Sequence, residues 1–167
     1  LKRFTKLKAM MLVWLLVFVA AVLAIGPPPD PSENPNLFEG DMILNPDQKA
    51  RLAKGDYGFG SRNDQLWPGG IVPYELDFDI SQQPQAVRAI NEAIADYHKY
   101  TCIRFHKRRN ENRYIQFFYK EGYGCSSSVG QNKYDINKLS LDKGCWFKTT
   151  VLHEIAHSLG FYHEQSR

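Results

Sequence analysis

The chain has 167 residues and a formal net charge of +3, with 43% hydrophobic and 23% charged side chains. That length allows one modest domain plus attachments. Four positive charges, Lys2, Arg3, Lys6 and Lys8, precede residue 25, so the remainder is close to neutral and no nucleic-acid partner is implied.

These basic residues lead into an apolar run, Ala9 to Ile25, that contains no charge. A basic stretch followed by such a run is a secretory signal pattern. The run is shorter than the ~20 residues a membrane-spanning helix requires. Small residues at Val22 and Ala24 place the expected cleavage after Ala24. Residues 1–24 are therefore expected to be a signal peptide and the protein to be secreted, extracellular and without stable membrane association; an uncleaved anchor is the alternative. Residues 26–36, GPPPDPSENPN, carry five prolines and read as an extended linker. Residues 37 to about 62 are mixed and polar, and Lys49, Arg51, Lys54 and Arg62 offer processing sites.

Globular texture begins at Leu66. Trp67-Pro68-Gly69-Gly70 predicts a turn feeding a strand over Ile71 to Leu76. A helix should begin near Ser81 or Gln82, with Pro84 in its first turn and Val87, Ile90, Ala93, Ile94 and Tyr97 at helical spacing. Short β-branched or aromatic runs predict strands over Cys102 to His106 and Tyr114 to Tyr119. The glycine-rich EGYGC then turns the chain into a strand near Ser127 to Gly130, with another at Lys138 to Leu141. A final helix is expected over Thr149 to Leu159. Strands and helices mix without regular alternation, which indicates an α+β class. Lys107-Arg108-Arg109, with Arg104 and Arg113 nearby, reads as a solvated loop between strands.

The last helix carries the chemistry. At about 100° per residue, His153 and His157 lie about 40° apart on one side. Val151, Leu152, Ile155, Ala156 and Leu159 form an apolar arc from which the histidines face away, with Glu154 on their flank. Two imidazoles one turn apart suit tetrahedral Zn²⁺. Gly160 can end the helix and bring His163 back as a third ligand, which explains the spacing HExxHxxGxxH. Three protein ligands leave a coordination position open, and Glu154 beside it is placed to take a proton from an activated water. The implied reaction is peptide-bond hydrolysis without a covalent intermediate. His98 and His106, near element ends, read as surface or packing residues. Cys102, Cys125 and Cys145 are expected to form disulfides, with one cysteine left over whose partner belongs to a longer protein.

HEIAHSLGFYHEQSR, His153 to Arg167, resembles the zinc signature of the astacin family of metzincin metalloendopeptidases. LWPGGIVPYEL from Leu66, TCIRF from Thr101 and GCSSSVG from Gly124 are similar to further segments of its catalytic domain. The resemblance implies that His153, His157 and His163 bind one zinc ion and that Glu154 is the catalytic base. It implies a Cys125–Cys145 disulfide, and for Cys102 a partner beyond Arg167. Glu164 matches the residue that engages the new amino terminus after activation. The segment Ser126 to Gly130 is expected to hold protein or peptide substrates as an added antiparallel strand. Phe38-Glu39-Gly40-Asp41 resembles the family's FxGD motif, in which the aspartate occupies the metal and displaces the water. Residues 25–62 would then be an inhibitory prosegment removed by an activating protease, after Arg62 or near Lys54. Residues 63–167 would be the N-terminal part of the catalytic domain, a mixed twisted sheet with two long helices of which the second bears the zinc motif. The lower subdomain is expected after Arg167, so the fragment alone should be inactive. The alternative is a secreted pseudoenzyme or binding module with the same fold.

Overall fold

A computed structural model describes residues 33–55 and 65–164. The expected signal peptide at 1–24, the Arg62 cleavage point and the final Gln165-Ser166-Arg167 lie outside the described residues.

A six-stranded mixed sheet runs in the order β1-β5-β6-β4-β2-β3. The strands are β1 (Met42–Ile43), β2 (Ile71–Leu76), β3 (Arg104–Lys107), β4 (Ile115–Phe118), β5 (Cys125–Ser128) and β6 (Asn137–Leu141). β2 pairs in parallel with both β3 and β4, and β4 with β6. β5 reverses direction against β6, and β1 lies parallel to β5. Among the described residues four α-helices accompany these strands: α1 (Pro46–Leu52), α2 (Phe78–Ser81), α3 (Pro84–Tyr100) and α4 (Lys148–Ser158). Among the described residues no helix is long and apolar enough to cross a membrane.

α3 has Pro84 in its first turn, where the missing N–H costs nothing. It buries Ala86, Ala89, Ile90, Ala93 and Ile94, so the small alanines allow close approach to the sheet while Val87 and Tyr97 sit at the margin. The helix ends at Thr101, whose hydroxyl donates to the Tyr97 carbonyl (2.6 Å) and accepts from Ile103 N–H (3.0 Å). That local network keeps Cys102 out of the strand, so β3 starts at Arg104, two residues later than its composition suggests. His98 accepts the Phe105 N–H (2.8 Å) and stacks on the Phe105 ring, a packing role. His106 stays exposed near Glu111. Arg108 pairs with Glu75 at 2.9 Å and lies over the Tyr114 ring.

α2 is a single turn that sequence periodicity does not reveal. It exists because Asp77 caps it, accepting from Asp79 N–H and Ile80 N–H, while Ile80 is fully buried. One core joins Val72, Ile115, Phe117, Leu139 and Leu141 of the sheet to Ile90 and Ala93 of α3 and Val151 and Ile155 of α4. Trp67 locks the beginning of this domain to α4, donating from Nε1 to the Ser158 carbonyl at 2.8 Å.

The mixed, polar region around residues 37–55 holds structure of its own. Asn45 and Gln48 form a reciprocal capping box at the start of α1. Met42, Leu44 and Val129 bury together, with Phe38, Leu52 and Tyr162 packed around them. Two residues of strand are too short to stand alone. β1 persists because β5 supplies its hydrogen-bond partners and this small cluster covers it.

Candidate metal centre

α4 spans Lys148–Ser158, one residue displaced at each end from the expected Thr149–Leu159. Gly160 follows at φ 106°, a left-handed conformation open to glycine. Its N–H donates to the His157 carbonyl (2.8 Å), and Phe161 N–H donates to that of Ala156 (3.0 Å). This turn swings His163 back toward His153 and His157.

The three imidazoles meet through their Nε2 atoms. His153 Nε2 lies 3.0 Å from His157 Nε2 and 3.1 Å from His163 Nε2. Asp41 completes the group, its Oδ2 lying 3.1 Å from His153, 3.0 Å from His163 and 3.6 Å from His157. These four residues are the cluster able to hold a metal among the described residues. With zinc–ligand distances of about 2.0–2.1 Å, the corners of a tetrahedron lie about 3.3–3.4 Å apart. The donor separations bracket that figure.

Proton placement argues the same way. His157 Nδ1 is 2.7 Å from the Phe161 carbonyl oxygen, which can only accept, so Nδ1 carries the proton. His163 Nδ1 is 2.9 Å from Glu39 Oε2 and likewise donates. In their neutral form these two rings present bare Nε2 lone pairs to His153 Nε2 and to the Asp41 carboxylate. Such an arrangement is repulsive unless a cation stands among the donors. Two buried oxygens, Asp41 Oδ1 and Glu154 Oε2, have no hydrogen-bond partner among the described residues. The donor set fits a divalent zinc-like ion with a second carboxylate beside it.

The histidines do not share one environment. The His153 side chain is 47% exposed and that of His157 only 2%. Glu154, expected on a flank, is buried to 1%. β5 and β6 pack against α4, and Asp41 shares a cleft with Glu154, so the apolar arc does not mark the only inward face. Burial first, and then the negative charge of Asp41, pushes the Glu154 carboxyl up to about 9. Burial also pushes Asp41 upward, but when the facing imidazoles carry protons in place of a cation, hydrogen bonds from His153 and His157 and the charges of His157 and His163 outweigh it. Its carboxyl is held well below the usual range. A cation among the donors would favour the ionised form of both groups.

Beside the centre, a cleft of about 330 Å³ is lined by Asp41, Cys125, Thr149, Thr150, His153 and Glu154. Cys125 is joined to Cys145 by a disulfide with a Cα–Cα distance of 5.7 Å. Cys102 is exposed and outside any disulfide among the described residues. β5 begins at Cys125, earlier than the expected Ser127, because its register on β6 sets Cys125 opposite Leu141. One edge of β5 belongs to β6. The other is taken by β1, with Met42 against Ser127, Ile43 against Ser128 and Ser127 N–H donating to the Asp41 carbonyl (2.8 Å).

Two contributors escape sequence reasoning. Gln48 donates to the Val129 carbonyl at 2.9 Å, hooking α1 onto the chain just past β5. Glu39 reaches His163 across 124 positions. The capping-box pattern signals Gln48 only as a local residue, and no spacing rule signals Glu39.

Comparison with known proteins places this centre in context. The chain is 37% identical over 137 residues to zinc metalloproteinase nas-6 of Caenorhabditis elegans, covering 81% of this chain and 38% of that protein. It is 38% identical over 139 residues to astacin-like metalloprotease toxin 1 of Loxosceles intermedia, covering 78% and 47%. Tolloid-like protein 1 of Mus musculus is 35% identical over 107 residues, covering 64% and 10%. The chain thus spans less than half the length of each of these relatives. Among solved structures, high choriolytic enzyme 1, a hatching enzyme zinc-protease from Oryzias latipes, aligns with a TM-score of 0.52 and 32% identity. That alignment covers 65% of this chain and 51% of the other. The sequence profile of the Astacin peptidase family matches residues 59–167, a stretch that takes in the strand edge, the disulfide and all three histidines, and the chain belongs to that family.

Proposed function

We propose that this chain is part of the secreted, latent precursor of a zinc-dependent metalloendopeptidase. The observation that carries the reading is the convergence of three Nε2 atoms and one Asp41 oxygen at separations suited to tetrahedral zinc. His153, His157 and His163 would hold the ion. Zinc bound there would supply Lewis acidity, polarising a carbonyl and acidifying water.

The chain's own residues then have separate tasks. Glu154, beside the donors, takes a proton from the attacking water and passes it to the departing amine. The outer edge of β5 aligns an extended polypeptide substrate along Ser126 to Gly130. Asp41 stands at the fourth donor position and keeps water out of it. β1 supports latency in a second way, since any strand added to the outer edge of β5 must first displace it. An antiparallel substrate would also run opposite to β1, so the prosegment can fill the edge without itself lying in the productive direction.

The assignment of residues 1–24 as a signal peptide, 25–62 as prosegment and 63–167 as catalytic chain accompanies this reading. The apolar leader and the disulfide support secretion. Likeness to named zinc metalloproteinases supports the reaction class. The test is elemental analysis of the complete protein, followed by a peptidase assay before and after prosegment removal, with and without chelator. One zinc per chain and chelator-sensitive cleavage only after removal are expected. Absence of stoichiometric zinc, or no cleavage by zinc-loaded processed protein, would refute it.

A further inference from the structure

Glu39 occupies φ +50°, the one non-glycine residue at positive φ among the described residues. Side chains other than glycine's are strained there, and such outliers persist where their surroundings demand them. The demand is visible. Phe38 and Met42 exchange backbone hydrogen bonds (3.2 and 3.0 Å), closing a tight loop from which Glu39 and Asp41 both reach the metal centre. They take hold of one histidine from opposite sides. Glu39 Oε2 accepts from His163 Nδ1 at 2.9 Å, and Asp41 Oδ2 lies 3.0 Å from His163 Nε2.

The histidines differ in how they are oriented. His157 is fixed by the Phe161 carbonyl, four residues along the same chain segment. His163 is fixed by a carboxylate from a segment that begins more than a hundred positions earlier. A hydrogen bond to the far nitrogen sets the tautomer and ring plane of a metal-binding histidine and increases its basicity as a ligand.

We infer that Glu39 is a positioning residue for the metal, so that the prosegment secures zinc with two carboxylates, one among the donors and one behind His163. The inference rests on the precursor reading above. It adds a consequence to activation: losing the prosegment takes away both the Asp41 oxygen and the acceptor that orients His163. The metal should therefore exchange faster in the processed protein than in the precursor. The left-handed backbone of Glu39 is the strain accepted to aim that side chain.

The experiment follows zinc transfer from the intact, zinc-loaded precursor to a chromophoric chelator for wild type, Glu39→Gly, Glu39→Gln and Asp41→Ala. Cobalt-substituted samples supply visible spectra of the same centre. Glu39→Gly relieves the backbone strain while deleting the acceptor, and should release zinc about tenfold faster or more with an altered cobalt spectrum. Glu39→Gln retains an oxygen able to accept from Nδ1 and should restore most of the slow release. Wild-type release and spectrum from Glu39→Gly would overturn the inference, as would a Glu39→Gln variant no slower than Glu39→Gly. Faster release from Asp41→Ala beside unchanged Glu39→Gly would sink the Glu39 role alone. A wild-type precursor that takes up no zinc would sink the underlying reading as well.

Discussion

Asp41 Oδ2 lies 3.1 Å from His153 Nε2, although 112 positions separate the two residues in the chain. The contact depends on β1, which begins at the next residue and is parallel to β5. Strand pairing fixes the height of Asp41 above α4, and the Phe38–Met42 loop fixes its direction. Under the proposed precursor reading, the inhibitory carboxylate is therefore attached to the same sheet edge that the substrate would use.

Replacing Asp41 by Ala should remove the fourth donor while leaving the three histidines and β1 in place. The unprocessed variant should retain zinc and cleave a quenched-fluorescence peptide at least about tenfold faster than the unprocessed wild type, a barrier difference of about 1.4 kcal/mol. Activity should remain below that of processed protein, because β1 still covers the β5 edge. Equal background activity in both precursors would remove Asp41 from the latency mechanism.

The metal helix is legible in the sequence because its information is local: an apolar repeat, two histidines one turn apart, and a glycine where the chain must reverse. α3 is legible for the same reason. The 33–55 segment is not. β1 has two residues and α1 seven, and both depend on Val129 and Tyr162, far away in the chain. β5 starts two residues before its pattern suggests because Cys125 to Ser128 are buried on both faces, which erases the alternation that marks a half-buried strand. A helical projection sets Glu154 at a flank, yet its burial follows from elements that a projection of α4 does not contain.

Glu154→Gln preserves shape but removes the basic oxygen. Zinc content should stay stoichiometric and kcat of the processed protein should fall by about 10²–10⁴, the range for loss of a positioned general base. The side chain is 1% exposed, so an isosteric change is needed to separate chemistry from packing. Zinc analysis alongside kcat decides the matter; an active, zinc-loaded variant would assign the proton transfer to another group.

The Cys125–Cys145 bridge joins the start of β5 to the residues leading into α4, across a sequence separation of 20. Both cysteines are buried, so alanine at both positions keeps the site apolar. Closing a loop of this size contributes about 3 kcal/mol through the unfolded state. The double variant should lose about that much stability in urea unfolding. Since Cys125 also lines the cleft beside His153 and Glu154, KM should rise more than kcat falls. A larger effect on kcat than on KM would mean that the bridge positions the metal helix rather than the substrate edge.

Tyr97 supplies a pH signature for the packing of α3 on α4. Its hydroxyl donates to the Leu152 carbonyl at 3.1 Å, and burial pushes its pKa up to about 12. An unfolded tyrosine titrates near 10. Between these values the unfolded chain has lost its proton and the folded chain keeps it, so the unfolded state binds fewer protons and stability falls as pH rises. Below pH 10 the contribution is fully present; it declines by up to about 1.4 kcal/mol per pH unit until the folded group also ionises. Urea unfolding at pH 9.5, 10.5 and 11.5 should show that decline. Tyr97→Phe should start lower, having lost one hydrogen bond worth about 1 kcal/mol, but decline less steeply. Tyr74, Tyr114, Tyr134 and Tyr162 are also shifted upward and remain in both proteins, so the difference between the two slopes isolates Tyr97. Parallel slopes would show that the Tyr97 hydroxyl is not sealed between the two helices.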